Sequence, residues 1–130
     1  MTGIDTNLLL RLLETDEHAR RTAAAVRAVE EECPVFISPV VLVEFVRVLR
    51  RIFKLNRLNI HERLEGIVNS NEFIVAFPEA TRRAVTLFRA GPAGFLDYLI
   101  GEMNLAQDCV VTLTFDRDAA KNPAFRHLAV

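Results

Sequence analysis

Four acidic residues of the chain border segments that have the pattern of buried secondary structure, namely Asp5, Glu44, Asp97 and Asp116. Two carboxylates that converge repel each other, so each resists ionisation unless a cation lies between them. Hard cations such as Mg²⁺ favour oxygen ligands of this kind. If the fold brings the four acids together, the chemistry they predict is the binding of a divalent metal ion.

Each acid also has a structural explanation that needs no metal. Asp97 would complement the dipole of a helix, and Asp116 would cap a turn. Glu44 would pair with Arg47 or Arg51 on the same helical face. Glu44 nevertheless interrupts an apolar run, where an unpaired charge would be costly to bury. Because packing does not require four acids at one edge of a sheet, the set as a whole favours a metal site.

The last third of the chain predicts a helix that leads into a strand ending on an acid. Residues 96, 99, 100 and 103 are apolar at helical spacing, and residues 110–113 form a short apolar run typical of a strand buried in a parallel sheet. A helix of about eleven residues rises roughly 16 Å, and a strand of about five residues spans roughly 17 Å. A helix that runs back along its strand therefore begins where the strand ends, and we expect Asp97 to lie near Asp116.

The rest of the chain alternates strands with helices, with few hairpin signals. We predict strands at residue 4 and residues 35–37, 73–77, 110–114 and 127–130, and helices after residue 5, at residues 15–32, 38–54, 59–69, 78–90 and 95–105, with one turn at 118–121. This order predicts one α/β domain over residues 1–130, with a mainly parallel central sheet of four to five strands flanked by helices. Ligands of such sheets bind beyond the carboxyl ends of the strands, where all four acids are expected.

Three further residues adjoin the predicted acid site. Thr6 and Thr114 are candidates to hydrogen-bond a carboxylate or a metal-bound water, and the alternative is ordinary capping and strand propensity. Asp118 follows Asp116 by two residues and would either join the site or cap a turn. The sequence leaves both alternatives open for all three.

Basic side chains recur along the predicted helix that carries Glu44. This basic stripe consists of Arg47, Arg50, Arg51, Lys54 and Arg57. A charged run is often no more than a solvated face. The stripe adjoins the acid site, however, where a polyanionic backbone would need to be neutralised. Contact with nucleic acid and a solvated face both remain open on this evidence.

Composition and motifs exclude several classes of protein. The formal net charge is −1, so no field of the whole molecule attracts nucleic acid. The chain has no glycine-rich phosphate loop and no G-x-S-x-G motif. Its two cysteines, Cys33 and Cys109, form neither a disulfide framework nor a zinc pattern, and we expect both to be buried thiols. We expect the three histidines to lie on the surface.

No apolar run of the sequence approaches the length needed to span a membrane, and an acid stands among the first five residues, unlike in a signal peptide. From these features we expect a cytoplasmic protein without membrane contact.

Four segments, taken in order, resemble the successive motifs of PIN-domain ribonucleases, and most of all those of VapC-type toxins of bacterial toxin–antitoxin pairs. They are IDTNLL at 4–9, VEF at 43–45 on a helix with a Ser-Pro start, FLDYLI at 95–100 and TLTFDRD at 112–118. The resemblance covers essentially the whole chain, and its last two motifs are the most specific. One departure is Thr2-Gly3, which replaces the usual apolar run of the first strand.

The resemblance implies an endoribonuclease that uses Mg²⁺ or Mn²⁺ to hydrolyse phosphodiester bonds of single-stranded RNA or tRNA. By position, the family's acidic quartet is matched by Asp5, Glu44, Asp97 and Asp116, its small hydroxyl residue by Thr114, and its polar residue after the first acid by Asn7. Asp118 offers a second acid in the last motif, so the choice between Asp116 and Asp118 stays open. The resemblance also implies a homodimer and a cognate antitoxin whose tail occupies the site.

Two other functions compete with the nuclease. One is a non-catalytic PIN-like module that holds RNA or a protein, although a chain released from catalysis need not keep four carboxylates. The other is a phosphatase or phosphoacceptor domain that uses Asp5 as a nucleophile. That chemistry usually needs a second acid close by or a placed lysine, and Thr6-Asn7 supplies neither.

Overall fold

The chain forms two compact units in a computed structural model that describes residues 1–14 and 19–129. Unit one is Met1–Ala76 and unit two is Phe77–Val130. The described residues contain six α-helices and five short strands that alternate as predicted, and all strand pairs are parallel. The predicted α/β class is therefore confirmed.

Unit one holds three strands and four helices. They are β1 (Thr2–Gly3), α1 (Thr6–Leu13), α2 (Ala19–Glu32), β2 (Val35–Ile37), α3 (Pro39–Arg51), α4 (Arg57–Asn69) and β3 (Phe73–Val75). Hydrogen bonds join the strands into one sheet in the order β1-β2-β3. Val35 in the central strand has Thr2 on one side and Phe73 on the other as its register partners.

The core of unit one includes one face of α3. Leu42, Phe45 and Leu49 are buried, whereas Val40 is 77% exposed. Because a helical face repeats every three to four residues, burial of residues 42, 45 and 49 turns residue 44 toward solvent.

Side-chain caps set where the helices of unit one begin. Ser38 accepts a hydrogen bond from the Val41 N–H at 3.3 Å and Pro39 opens α3, which confirms the predicted start. Asn56 caps α4 through the Asn59 N–H at 2.9 Å, so α4 begins at Arg57, two residues before the predicted start at residue 59. The predicted cap and first turn of α2, at residues 15–17, lie outside the described residues.

Unit two holds a pair of helices and a two-stranded sheet. The elements are α5 (Pro78–Ala90), α6 (Phe95–Ala106), β4 (Thr112–Thr114), a 3₁₀ turn (Ala119–Lys121) and β5 (Phe125–His127). Thr112 lies opposite Phe125, and Thr114 lies opposite His127. The predicted helical turn near residue 120 is confirmed, and the last strand begins two residues earlier than predicted.

Two contacts fix α6 against α5. The rings of Phe88 and Phe95 meet edge to face, with centroids 6.0 Å apart and planes at 79°. Arg83 Nε lies 2.8 Å from Oε2 of Glu102, whose side chain is only 8% exposed. Because a buried carboxylate is costly without a partner, this ion pair holds the middle of α6 in place.

Several predictions of burial were wrong. The segment expected to be a buried strand at residues 110–113 begins its strand only at Thr112, and Val110 is 92% exposed. Both cysteines are exposed rather than buried. His61, expected at the surface, is buried in α4. In each case the polarity of the neighbouring residues in the sequence did not determine whether the side chain is buried or exposed.

No helix in residues 1–14 and 19–129 is long and apolar enough to cross a membrane.

Candidate active site

The start of α6 holds Asp97 in the first helical turn, as predicted. Gly94 occupies the N-cap position, and the Ala93 N–H donates a buried hydrogen bond of 3.2 Å to the Tyr98 hydroxyl. Tyr98 follows Asp97 directly, so this bond ties the loop before the helix to the turn that carries the acid. The carboxylate of Asp97 is therefore presented by a fixed backbone.

Burial raises the pKa of Asp97, and the nearby carboxylate of Asp116 raises it further. A hydrogen bond from the backbone of Gly94 favours the ionised form and therefore lowers the pKa of Asp97. The predicted proximity of Asp97 and Asp116 thus appears as an electrostatic repulsion between them. A divalent cation bound by both carboxylates would relieve this repulsion.

Asp116 lies in the loop that follows β4 and organises it. Its backbone N–H donates to Thr114 Oγ1 at 3.0 Å, and its Oδ1 accepts hydrogen bonds from the N–H groups of Asp118 at 2.8 Å and Ala119 at 3.1 Å. The structural role considered for Asp116, capping a turn, is therefore real. It orients the carboxylate through Oδ1 and leaves Oδ2 without a hydrogen bond in the part of the chain that the structure describes.

Asp118 differs from Asp116 in its partner. Its Oδ1 lies 3.4 Å from Lys121 Nζ, and its side chain is 58% exposed. Its backbone N–H serves as a donor to Asp116. The acid that raises the pKa of Asp97 is Asp116. Of the two alternatives left open by the sequence, the geometry favours Asp116.

Two contacts join α6 to the two-stranded sheet of unit two. A Cβ atom at Gly101 would lie 2.6 Å from Phe125 Cε2 in β5, so the helix touches the sheet at this glycine. Asn104 Nδ2 donates to Thr112 Oγ1 at 2.9 Å. Neither Gly101 nor Asn104 was predicted from the sequence to support the site. The available signal was a glycine inside an apolar helical run, which marks close packing when its neighbours are large.

His127 also contributes to the loop after β4. Its Nε2 lies 3.1 Å from the carbonyl oxygen of Phe115, the residue before Asp116. The Leu128 N–H donates to the Thr114 carbonyl at 2.8 Å, which continues the pairing of the two strands to this end. His127 is exposed, as predicted, but it also positions the backbone next to the acid.

In unit one, Asp5 caps α1. Its Oδ1 accepts a hydrogen bond from the Leu8 N–H at 2.9 Å, and its side chain is exposed. Thr6 and Asn7 are the first two residues of α1, half-buried and exposed respectively. Asp5 therefore has a structural role and still presents a charged group at the surface.

Glu44 lies on the exposed side of α3, so the argument from the cost of burying its charge was wrong. Within residues 1–14 and 19–129, its carboxylate makes no ion pair or hydrogen bond, so the alternative considered for Glu44, a pairing with Arg47 or Arg51, is not formed. An exposed, unpaired carboxylate is available to a ligand at little cost.

The basic stripe is only partly a helical face. Arg47, Arg50 and Arg51 are exposed on α3, which ends at Arg51. Lys54 lies beyond the helix in the left-handed conformation, with φ of 58°. Arg57 begins α4 and is half-buried. The three arginines of α3 are therefore the part of the stripe that shares one surface.

The carboxylates of Asp97 and Asp116 are the type of ligand that a hard divalent cation prefers, but they do not form a complete coordination shell. Among the described residues, no group of three or more His, Cys, Asp or Glu side chains is arranged to hold a metal ion. Asp97 and Asp116 form a repelling pair of carboxylates. Mg²⁺ keeps several waters and commonly uses one or two protein carboxylates together with substrate phosphates, so a pair is sufficient to begin a site.

A family model described as "PIN domain" matches residues 4–125, nearly the whole chain. No curated protein matches the chain.

Proposed function

Because the chain belongs to the PIN domain family, whose members are generally metal-dependent nucleases, we propose that it is a metal-dependent endoribonuclease. The observation that carries the proposal is the electrostatic coupling of Asp97 and Asp116, at the start of α6 and in the loop after β4. The proposed substrate is single-stranded RNA or tRNA.

Asp97 and Asp116 would hold the Mg²⁺ or Mn²⁺ ion. When bound, such an ion activates water for attack on a phosphodiester and stabilises the leaving oxygen. The residues of unit two prepare this function. Asp116 is oriented by its hydrogen bonds to the 3₁₀ turn, and Thr114 fixes the loop that carries it. Burial and the charge of Asp116 make the ionised form of Asp97 less favourable in the free protein, and a bound cation would offset both effects.

Asp5 and Glu44 complete the proposed set of catalytic acids. The support for Asp5 is that its cap uses Oδ1 and leaves the second oxygen exposed at the start of α1. The support for Glu44 is its exposed carboxylate with no partner in the described chain. Thr6 and Asn7, which follow Asp5 directly, are proposed to support it. Each of the four acids is then required for cleavage.

The basic stripe is proposed to bind the RNA backbone. Arg47 and Arg51 lie one turn apart on the same helix as Glu44 and are exposed. A run of guanidinium groups neutralises successive phosphates and makes binding dependent on salt. Arg50, Lys54 and Arg57 extend the positive charge beyond this pair.

We further propose that the protein is the toxin of a toxin–antitoxin pair that acts in the cytoplasm, where its RNA substrate lies. A groove of about 620 Å³ in unit one supports a protein partner. Its walls carry Leu12, Leu13, Val26, Val29 and Phe73 together with Glu30, Glu62 and Glu72, and also Arg63, whose guanidinium lies 3.8 Å from the Glu62 carboxylate. An apolar groove with acidic residues suits an amphipathic, basic helix of an antitoxin.

A homodimer is proposed on separate grounds. Large apolar side chains of unit two are exposed, with Phe115 at 66% and Leu113 at 52%. Exposed apolar side chains that lie near one another in a small protein mark contact surfaces. Sedimentation equilibrium of wild type and Phe115→Asp tests this assignment, since a monomeric variant from a dimeric parent supports it and a monomeric parent contradicts it.

The proposed activity is tested with purified, antitoxin-free protein and mixed single-stranded RNA and tRNA. Wild type and Asp97→Asn are compared in Mg²⁺, in Mn²⁺ and in EDTA. Cleavage that depends on the metal and is lost in Asp97→Asn supports the nuclease. Binding of RNA without cleavage, under every metal condition, would replace it with the non-catalytic module. Growth arrest on expression of wild type, but not of Asp97→Asn, tests the role as a toxin.

A further inference from the structure

A second groove of unit one, here the α1–α2 groove, has a volume of about 640 Å³. This volume lies within the range of about 300–1,000 Å³ that is usual for small-molecule sites. The groove is lined from α1 by Asn7, Leu8 and Arg11, and from α2 by Arg21, Ala24, Ala25 and Ala28. It is therefore formed by two adjacent helices and does not depend on a loop.

The chemistry of this lining is divided between apolar and basic groups. Leu8 and the three alanines give a smooth apolar wall without protruding side chains, while the two arginines supply positive charge. No acid is found among the described residues that line the groove. A flat apolar wall accepts the face of a nucleobase, and a guanidinium pairs with a phosphate through charge-assisted hydrogen bonds.

The position of the groove relates it to the proposed catalytic acids. Asn7 lines one end and follows Asp5, the cap of α1, by two residues. Arg11 lies one helical turn further along α1, a rise of about 6 Å. The groove thus opens beside the end of α1 that carries Asp5 and extends along α1 toward Arg11. A strand whose phosphate is cleaved near Asp5 would enter the groove with its neighbouring nucleotide.

We propose that the α1–α2 groove binds one nucleotide of the substrate RNA next to the scissile phosphate, with the base against Ala24 and Ala28 and the phosphate at Arg21. This inference rests on the proposed function and adds a subsite to it. Its consequence is that residues of α2, remote in sequence from all four acids, contribute to RNA affinity and to the choice of cleavage site. The arginine at position 11 supplies charge on the opposite wall.

Matched variants separate this subsite from general charge effects. Arg21→Ala is compared with Arg20→Ala, because both arginines are exposed on α2 and only Arg21 lines the groove. Ala24→Leu, which fills the groove, is compared with Ala23→Leu, since both alanines are exposed and only Ala24 lines it. Each change is made in the Asp97→Asn background, so that the RNA stays intact. Binding of fluorescein-labelled single-stranded RNA is measured by anisotropy over a range of salt.

The subsite predicts that Arg21→Ala weakens RNA binding by about tenfold, the effect of losing one hydrogen bond to a charged group. The slope of log K against log salt should fall in magnitude by about 0.7, the contribution of one phosphate of a single strand. Ala24→Leu should weaken binding with the salt slope unchanged. Arg20→Ala and Ala23→Leu should bind within about twofold of the parent, the scatter expected for surface changes. Circular dichroism shows that each variant is folded.

Three outcomes would overturn the proposal, and they are distinguishable. If wild type cleaves RNA but Arg21→Ala and Ala24→Leu bind it as their controls do, the groove is not a subsite while the nuclease assignment stands. If wild type neither cleaves nor binds RNA in Mg²⁺ or Mn²⁺, the groove proposal fails together with the proposed function. Binding of a protein partner that Ala24→Leu blocks, with RNA binding unaffected, would assign the groove to that partner instead.

Discussion

Gly101 of α6 and Phe125 of β5 approach so closely that a Cβ atom on the glycine would lie 2.6 Å from Cε2 of the ring and 3.1 Å from Cζ. No side chain larger than hydrogen fits between helix and sheet at this point. Asp97 lies one helical turn before Gly101, and Asp116 follows β4, the strand paired with β5. The contact between Gly101 and Phe125 therefore joins the helix that carries Asp97 to the sheet whose β4 strand precedes Asp116.

We predict that Gly101→Ala pushes α6 away from β5 and destabilises the protein by about 1–3 kcal/mol, the usual cost of overpacking. Urea unfolding measures this change. Gly66→Ala in α4 is the matched control, because its Cβ would meet nothing within 4 Å. Converting that helical glycine to alanine should raise the free energy of unfolding by about 0.5–1 kcal/mol. Equal stability of the two variants would contradict the account.

A second-site change tests whether Gly101 positions the acids or only stabilises the fold. If Gly101 positions the acids, Gly101→Ala should bind Mn²⁺ more weakly and cleave RNA more slowly than wild type. Phe125→Leu replaces the ring that the new methyl group meets with a smaller side chain. Adding it to Gly101→Ala should therefore restore Mn²⁺ affinity and cleavage. The assays are run at a temperature where every variant is folded. If the folded Gly101→Ala variant binds Mn²⁺ as wild type does, the glycine serves stability alone.

The raised pKa of Asp97 predicts a dependence of stability on pH in metal-free protein. A carboxyl whose pKa is higher in the folded state contributes stability that is fully present below its ordinary value of 3.8 and is lost as the pH rises through the folded value. Asp97→Asn, which cannot ionise, should therefore be more stable than wild type at neutral pH. This advantage should shrink as the pH falls through the folded pKa of Asp97 and should be absent below 3.8.

Urea unfolding in EDTA at several pH values measures this advantage. A carboxyl NMR titration adds a direct test. In Asp116→Asn the pKa of Asp97 should fall but stay above its ordinary value, because burial is the larger cause of its shift. An unchanged pKa would show that the two acids do not interact.

Asp5 is predicted to have two separable roles. Asp5→Asn keeps an oxygen that can accept the Leu8 N–H, so the helix cap and stability should be preserved while cleavage is lost. Asp5→Ala should also lose cleavage and should be less stable by about 1 kcal/mol, the usual cost of losing a cap. Thermal unfolding and RNA cleavage of both variants check this. Full activity of a stable Asp5→Asn variant would remove Asp5 from the catalytic set.

The basic stripe predicts that RNA binding depends on the exposed arginines of α3. Replacing both Arg47 and Arg51 with alanine in the Asp97→Asn background should weaken binding. The salt slope should fall in magnitude by about 1.4, which corresponds to two phosphates of a single strand. Arg89→Ala, at an exposed arginine in the last turn of α5, is the control. A double variant that binds with the parent's affinity and slope would identify the stripe as a solvated face.

The sequence predicted the order of elements well, since start signals such as Ser38-Pro39 and the stop at Gly91-Pro92 act locally. The proximity of Asp97 to Asp116 was also predictable, because helix and strand lengths alone place the start of α6 near the end of β4. Burial was less predictable. Whether Glu44 or Val40 faces solvent depends on which side of α3 the rest of unit one covers, and that is a tertiary property.

Other features depend on contacts between residues distant in sequence. The close approach of Gly101 to Phe125 joins residues that belong to different elements, so no local pattern reveals it. The hydrogen bonds that distinguish Asp116 from Asp118 depend on the exact turn that follows β4. The α1–α2 groove arises from two helices whose residues, taken separately, are an ordinary amphipathic face and an alanine-rich one.

The most direct test of the central claim is the rate of Mn²⁺-dependent RNA cleavage by four purified proteins: wild type, Asp97→Asn, Asp116→Asn and Asp118→Asn. The account predicts that the first two substitutions abolish cleavage. Asp118→Asn should retain it, because Asp118 pairs with Lys121 while Asp116 is the acid that acts on Asp97. Full activity in Asp97→Asn or Asp116→Asn, or cleavage by wild type that persists in EDTA, would contradict a metal-dependent site at this pair.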